Sequence, residues 1–596
     1  MTQKQHPLDF LIIVPFDRVT NGLEIVHELP PALNLNDREK ITLYLSSQNK
    51  FRTMADEMGL IAIGGDPIGL TDDTIHPYAS DKFYLEEFLT TVSGHYYLIY
   101  YNRHADKLIV ASSLFSMYPV FWHRSATCIL IASRLRLMLE LLPALSRSNK
   151  KFIVEQVLFN YPLFNDTIVN DVMLCPTNHY LAVTGDRLEF FKFFDIADLF
   201  SEHPRQDKHA AETLTSLFLS RTRDYFLNTR LIIAFTSGFD SRTLVACAKY
   251  HQQEFTSFSF GTDKNYDVTR PLMDAARLGI NYFPVLLDAD YIESNYKEAG
   301  EELIDLTSAM SNYLYVHHLY SARKLSEQCD YLFTGYFGSE LFRSIHLTGA
   351  LISKELLPFF RERAEDRWIE SIRLSSKLTY LKTTWVAEEI DKIITELRRY
   401  KQDYSEDRLT HFFYRFVFDE IFRKVFGPLI YSQSKYINVR TPFLDLEFIS
   451  ELLGTEFAGA NNDFFTHNPL KRAIGQYLYA KIIHAACPEL SQIKTQRGYA
   501  PDDLLTFNGK LSIIVPYTLK KIRKRITRPN LDNLSIISGM KRNWQSFREL
   551  IMTTDWYEID ALDKLAADLR HAPEYKRDLL ALAASSAVFI DQIPWH

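Results

Sequence analysis

The chain has 596 residues, 46% of them hydrophobic and 24% charged, with a formal net charge of -7 at pH 7. That length exceeds what one core serves and implies at least two domains, while the composition excludes a chain dominated by disorder. The acidic balance excludes broad attraction to nucleic acid or anionic membrane, and no apolar stretch approaches the roughly 18 residues of a membrane span.

Five scattered cysteines, Cys128, Cys175, Cys247, Cys329 and Cys487, form no C-x-x-C pair and read as reduced, buried thiols of a cytoplasmic protein. The N-terminus has neither a basic start nor a small-residue cleavage site, so no secretion signal is expected. From Phe10 to about Asp195, short apolar or alternating runs read as strands: Tyr96 to Tyr101, Lys107 to Ala111, Val120 to Trp122, Cys128 to Ala132, His179 to Val183, then a turn at Gly185 and Leu188 to Phe191. The polar stretch Ser201 to Lys208 marks a boundary, giving expected domains 1–200 and 201–596. Beyond it, the nearly continuous apolar run Arg230 to Phe235 predicts a strand covered on both faces. Phe255 to Phe260 and Tyr331 to Phe333 predict companions, separated by helices as in a doubly wound parallel sheet. From about Ser353 onward helical patterns dominate.

The predicted strand ending at Phe235 runs into Thr236, Ser237, Gly238, Phe239, Asp240 and Ser241, then into a helical run. A small-residue loop in that position presents backbone N–H groups and a helix N-terminus, which favour bound phosphate. Thr236, Ser237 and Ser241 add hydroxyls, and Asp240 is a candidate ligand for a phosphate-bridging Mg2+. A capped helix start, with Asp240 or Ser241 as cap and Gly238 as turn residue, is the plainer reading.

The loop resembles the Ser-Gly-Gly-x-Asp-Ser signature of ATP-pyrophosphatase (PP-loop) enzymes and lacks the lysine of a Walker loop. Phe258-Ser259-Phe260-Gly261-Thr262, Asp267 with Ala275 to Ile280, Thr334-Gly335-Tyr336-Phe337-Gly338-Ser339-Glu340-Leu341-Phe342, and Asn438 to Asp445 follow in the order of the asparagine synthetase-like branch. Gly94-His95-Tyr96, Tyr118 to Trp122, Ala132 to Leu135 and Cys175 to Tyr180 look like core segments of that branch's glutaminase domain. The resemblance implies an α+β and α/β chain. Its N-terminal part would be an Ntn-hydrolase-like β-sandwich, followed by a doubly wound parallel-sheet PP-loop synthetase domain with a helical C-terminal extension. Glutaminase chemistry requires an exposed N-terminal cysteine; residue 2 is Thr2, so a glutaminase fold without that activity is expected.

What the resemblance implies for the site is ATP and Mg2+ held by Thr236, Ser237, Gly238, Asp240, Ser241, Ser259, Gly261, Thr334 and Gly335. Asp240 and Glu340 would be the metal ligands, Glu340 standing in because Ser339 occupies the place of the family's second aspartate. Tyr336 aligns with the catalytic tyrosine of beta-lactam synthetases, with Glu370 or Glu365 as its carboxylate partner. Gln496 stands where the family has a phosphate-steadying lysine, leaving Lys494 or Arg497 to serve. The expected activity is an ATP-dependent ligase that adenylates a carboxylate and couples it to an amine. A small molecule or peptide would be the substrate, as in beta-lactam synthetases and lasso-peptide cyclases, with a leader-peptide-processing protease as a possible partner. Ammonia-dependent asparagine synthesis and an inactive peptide-binding scaffold are the alternatives. The basic run Lys520 to Arg525 reads as a solvated helix face or a grip for an acidic partner. His317, His318 and His346 read as structural.

Overall fold

The computed structural model describes residues 5–16, 33–34, 41–47, 50–70, 84–142, 145, 148–206, 208–226, 230–343, 349, 351–361, 364–404, 408–462, 474–513, 534–569 and 572–593. Thr2, His346 and the 520–525 basic run lie outside them. The architecture is mixed α/β, with two antiparallel sheets, one parallel sheet and helices around all three.

The strands before residue 193 are β1 (Phe10–Pro15), β2 (Leu33–Asn34), β3 (Thr42–Leu45), β4 (Phe51–Ala55), β5 (Gly59–Ile68), β6 (Ser93–Asn102), β7 (Lys107–Ser112), β8 (Phe121–Arg124), β9 (Cys128–Ala132), β10 (Met173–Leu174), β11 (His179–Thr184) and β12 (Arg187–Lys192). They form two six-stranded sheets, ordered β10-β8-β9-β1-β3-β2 and β12-β11-β7-β6-β5-β4. Alternation in β6 serves two cores. Tyr97, Ile99 and Tyr101 point into the main core, where Tyr97 meets Phe10 of β1 edge-on at 5.0 Å. Tyr96 and Leu98 point the other way, against Phe88 and Leu89 of the Leu85–Thr91 helix. The second sheet is thus covered on both faces, which accounts for its density of apolar residues.

Five further strands, β13 (Leu231–Ala234), β14 (Thr256–Gly261), β15 (Asn281–Leu286), β16 (Tyr331–Phe333) and β17 (Asn438–Arg440), make a parallel sheet ordered β15-β14-β13-β16-β17. The chain steps outward one way from β13 to β15 and then returns to the other side of β13 for β16. The C-terminal ends of β13 and β16 therefore flank a topological switch point, where open α/β sheets bind ligands. Pro284 lies in the edge strand β15, where a missing N–H is tolerated.

Buried charge joins the antiparallel and parallel parts. Arg134, just after β9, donates to Asp9 at 2.8 and 2.5 Å and to Asp305 at 2.9 Å, with all three side chains below 10% exposure. Burial would push the Asp9 carboxyl up, but Arg134 overrides it and holds the group below its ordinary value. Arg440 at the end of β17 forms a two-pronged pair with Asp66 of β5, at 2.6 and 2.8 Å. The next residue, Thr441, is 2.9 Å from the ring of buried His95 in β6.

Candidate active site

The loop after β13 is shaped by its own hydroxyls. Thr236 N–H donates to Ser241 Oγ at 2.9 Å, Gly238 N–H donates to Thr236 Oγ1 at 3.2 Å, and Ser237 Oγ donates to Asp267 at 3.3 Å. These three hydroxyls, expected as phosphate donors, also hold the loop's form. Gly238 is the N-cap of the Phe239–Tyr250 helix, so neither Asp240 nor Ser241 caps it. The first-turn N–H groups of Phe239, Asp240 and Ser241 have no intrahelical acceptor by construction of a helix, and they point to the loop side where Gly238 is exposed. A helix N-terminus in this position is the kind of element that favours an anion.

The loop after β16 closes on the first. Gly335 lies so near the Phe239–Tyr250 helix that a Cβ there would be 2.8 Å from Asp240 Cβ; at Gly338 it would be 2.9 Å from an Asp240 carboxylate oxygen. Glycine is required at Gly335, where backbone atoms of the helix crowd the position, while at Gly338 a side chain would displace the ends of Tyr479 and Asp240. The Ser339 hydroxyl lies 3.0 and 2.8 Å from the two oxygens of Asp240 and donates to them. Tyr479, buried on the Ile474–Ala486 helix, also donates to Asp240, and Arg343 donates to Ser339. Glu340 is adjacent, and burial followed by the charge of Asp240 raises its carboxyl to about 7. Asp240 and Glu340 therefore sense each other, and both carry carboxylate oxygens of the kind a hard divalent cation takes. Thr334, just after β16, is buried, and among the described residues its hydroxyl has no partner.

Tyr336 is half-buried against Phe426, and its hydroxyl lies 3.0 Å from His318 Nδ1. Burial lowers His318 to about 4, so the ring is neutral and shares a hydrogen bond with Tyr336, whose own hydroxyl burial pushes up. The expected carboxylate partner is therefore replaced by an imidazole. Glu370 is exposed on a helix packed against Leu357–Arg361 and Thr383–Asp403, and Glu365 pairs with Arg398 at 3.1 Å. His318, read as structural from sequence, is the residue that meets the tyrosine.

Of the two candidate cations, Lys494 is exposed, whereas the Arg497 guanidinium lies over the ring of Phe239, 6.0 Å from its centroid. The 493–499 segment is anchored there by Arg242, which donates to the Ile493 carbonyl at 3.1 Å, and by a tight turn closing Thr495 N–H on Tyr499 O at 2.9 Å. Ser259 is committed elsewhere, to the Asp267 carbonyl and the Tyr282 hydroxyl. Gly261 at φ 152° ends β14, its carbonyl accepting from Leu287 N–H at 2.8 Å. Tyr479 and Arg343 were not singled out in the sequence. The link of Tyr479 to Asp240 is long-range, while Arg343 lies just past the 334–342 motif and reaches Asp240 only through Ser339.

No family model matches the chain, and no curated protein matches it. Among solved structures the chain is similar to glutamine phosphoribosylpyrophosphate amidotransferase from B. subtilis complexed with ADP and GMP. That likeness is at 9% identity and TM-score 0.17, covering 43% of this chain and 53% of that one. It is also similar to a structure described as the allosteric regulatory enzyme of purine biosynthesis, at 8% identity and TM-score 0.20, covering 65% and 86%. The chain spans about half the length of the first of these. Among the described residues no helix is long and apolar enough to cross a membrane.

Proposed function

We propose that the chain is an ATP-dependent amide-forming synthetase. The carboxylate oxygen of a substrate attacks the α-phosphorus of ATP, the bond to pyrophosphate breaks, and an amine then displaces AMP from the acyl carbon, losing one proton. The observation that carries this reading is the meeting of two tight loops, 236–241 and 334–339, at the switch point of the parallel sheet with Asp240 between them.

ATP would supply the adenylyl group and Mg2+ the charge to offset departing pyrophosphate. Asp240 and Glu340 would hold the cation, and the first-turn N–H groups of the Phe239–Tyr250 helix would hold phosphate oxygens. Arg497 is the cation best placed to steady the adenylate, because it lies over Phe239. Tyr336 with His318 offers a hydroxyl and a neutral ring to orient the attacking amine and relay its proton. The product class is a macrolactam or other small amide, which makes a leader-peptide-processing protease a natural partner. The first half would then be a glutaminase-like domain without glutaminase chemistry.

The test is substrate-dependent pyrophosphate release, with candidate precursor peptides and amino acid derivatives supplied alongside ATP and Mg2+. Release that survives Asp240→Ala would defeat the reading. Tyr336→Phe is expected to leave ATP binding unchanged in calorimetry while lowering amide formation by about 10²-fold, the scale of one lost proton-transfer partner. A second reading, an inactive scaffold, is favoured by the hydrogen bonds that Ser339 and Tyr479 already make to Asp240. Calorimetry with ATP and Mg2+ separates the two, since the scaffold does not bind them.

A further inference from the structure

Tyr479 lies on the buried stripe of the Ile474–Ala486 helix, where Gly475, Leu478, Ile482, Ile483 and Ala486 recur at three- and four-residue spacing. On such a stripe a phenylalanine would pack as well as a tyrosine, so the hydroxyl is the part that packing does not account for. The ring is 1% exposed and held by three others, Phe342 at 4.4 Å, Phe239 at 5.8 Å and Phe443 at 6.1 Å between centroids. A ring so fixed delivers its hydroxyl to one point, and that point is Oδ1 of Asp240.

The two oxygens of Asp240 are therefore unequal. Oδ1 accepts from Tyr479 and from Ser339 at 3.0 Å, and it faces Gly338, where a Cβ would stand 2.9 Å from it and 2.6 Å from the Tyr479 hydroxyl. Oδ2 accepts, among the described residues, from Ser339 alone, at 2.8 Å. Asp240 as a whole is half-buried, and the covering falls on Oδ1. The terminal torsion of an aspartate is soft, so without such bonds the two oxygens exchange places.

We propose that Tyr479 is a positioning residue that presents Asp240 to a divalent cation through Oδ2 alone, and that it thereby selects a small cation, Mg2+, over a larger one, Ca2+. The inference rests on Asp240 being a metal ligand, as proposed for this site. Mg2+ demands near-ideal octahedral geometry, which the narrow bite of two oxygens from one carboxylate distorts, whereas Ca2+ accepts a carboxylate through one oxygen or both in a flexible shell. An aspartate free to turn offers both oxygens; one pinned by Tyr479 offers one. The hydroxyl touches neither cation nor nucleotide and acts only by orienting the carboxylate that does.

The experiment titrates Mg2+, Mn2+ and Ca2+ separately into the full chain, alone and with α,β-methylene ATP, in which the bond broken by adenylation is replaced. Binding is read by calorimetry and, for Mn2+, also by the paramagnetic resonance of the free ion. Tyr479→Phe is expected to bind Mg2+ and Mn2+ about 10–100-fold more weakly than the unmodified protein and Ca2+ with much less loss, so that discrimination between the cations falls. Its melting temperature should stay within about 3 °C, because the ring and its three neighbours remain. A merely structural hydroxyl would move the melting temperature and leave the ratio of Mg2+ to Ca2+ affinity alone. Asp240→Ala tests the reading beneath. If the unmodified protein binds none of the three cations, or Asp240→Ala binds them equally well, the metal site fails and this inference with it. If Asp240→Ala loses the cations while Tyr479→Phe keeps the unmodified ratio, or binds Mg2+ more tightly, the metal site stands and the role of Tyr479 is overturned.

Discussion

Asp240→Asn is expected to reduce ATP–pyrophosphate exchange by about a thousandfold, a loss near 4 kcal/mol of transition-state stabilisation. The substitution keeps an oxygen to accept from Ser339 and Tyr479, so the loop contacts and the melting temperature should change little. What it removes is the negative charge, and a divalent cation needs that charge more than it needs the shape. Exchange measured at saturating ATP and increasing Mg2+ distinguishes weakened metal binding, which high Mg2+ restores, from loss of the catalytic step, which it does not. Unchanged exchange in Asp240→Asn would remove the central residue from the proposed chemistry.

The largest expected effect on stability is at Arg134. Replacing it with methionine leaves Asp305 held by Arg136 alone and Asp9 buried without its guanidinium, and such uncompensated burial of a carboxylate costs about 3–5 kcal/mol. For a chain whose total stability is of the usual order of 5–15 kcal/mol, this is a large part of the whole. Chemical denaturation followed by tryptophan fluorescence should show the midpoint falling sharply. The same pair sets an acid limit. Because Arg134 depresses the Asp9 carboxyl below its unfolded value, that stabilisation is present above about pH 4 and is lost as pH falls through the folded value. Loss of the acid-dependent slope in Arg134→Met, alongside a lower plateau, is the accompanying signature.

Much of the sheet framework was legible from residue patterns, for reasons visible in particular strands. β13 is apolar throughout because helices cover both its faces, and β6, β7 and β9 carry long apolar runs without turn residues. β5 was missed because Gly64, Gly65 and Pro67 interrupt it, although it pairs with β6 along its whole length. β17 is a three-residue strand, too short for any periodicity, and β15 contains a proline. In the site, the first loop was legible as small residues between a buried strand and a helix, and the second only through its resemblance to the family's loop. Their mutual contact was also foreseeable in kind, since both follow strands of one sheet. The partners were not. Tyr479 comes 239 residues after Asp240, and His318 reaches Tyr336 from a separate helix, so no local spacing records either pairing. The expectation that a glutamate would meet Tyr336 relied on chain order alone, and the exposed position of Glu370 corrects it.

The clasp between Arg440 and Asp66 has a consequence for truncating this chain. Strand β17 ends in a guanidinium whose counter-charge is supplied from the opposite half of the molecule, and the adjoining threonine is met by His95 from the same side. Excising the opening two hundred residues would leave that guanidinium with the Tyr225 carbonyl and the face of Tyr331 but without its counter-charge. The leading portion is thus a built-in brace for the end of β17.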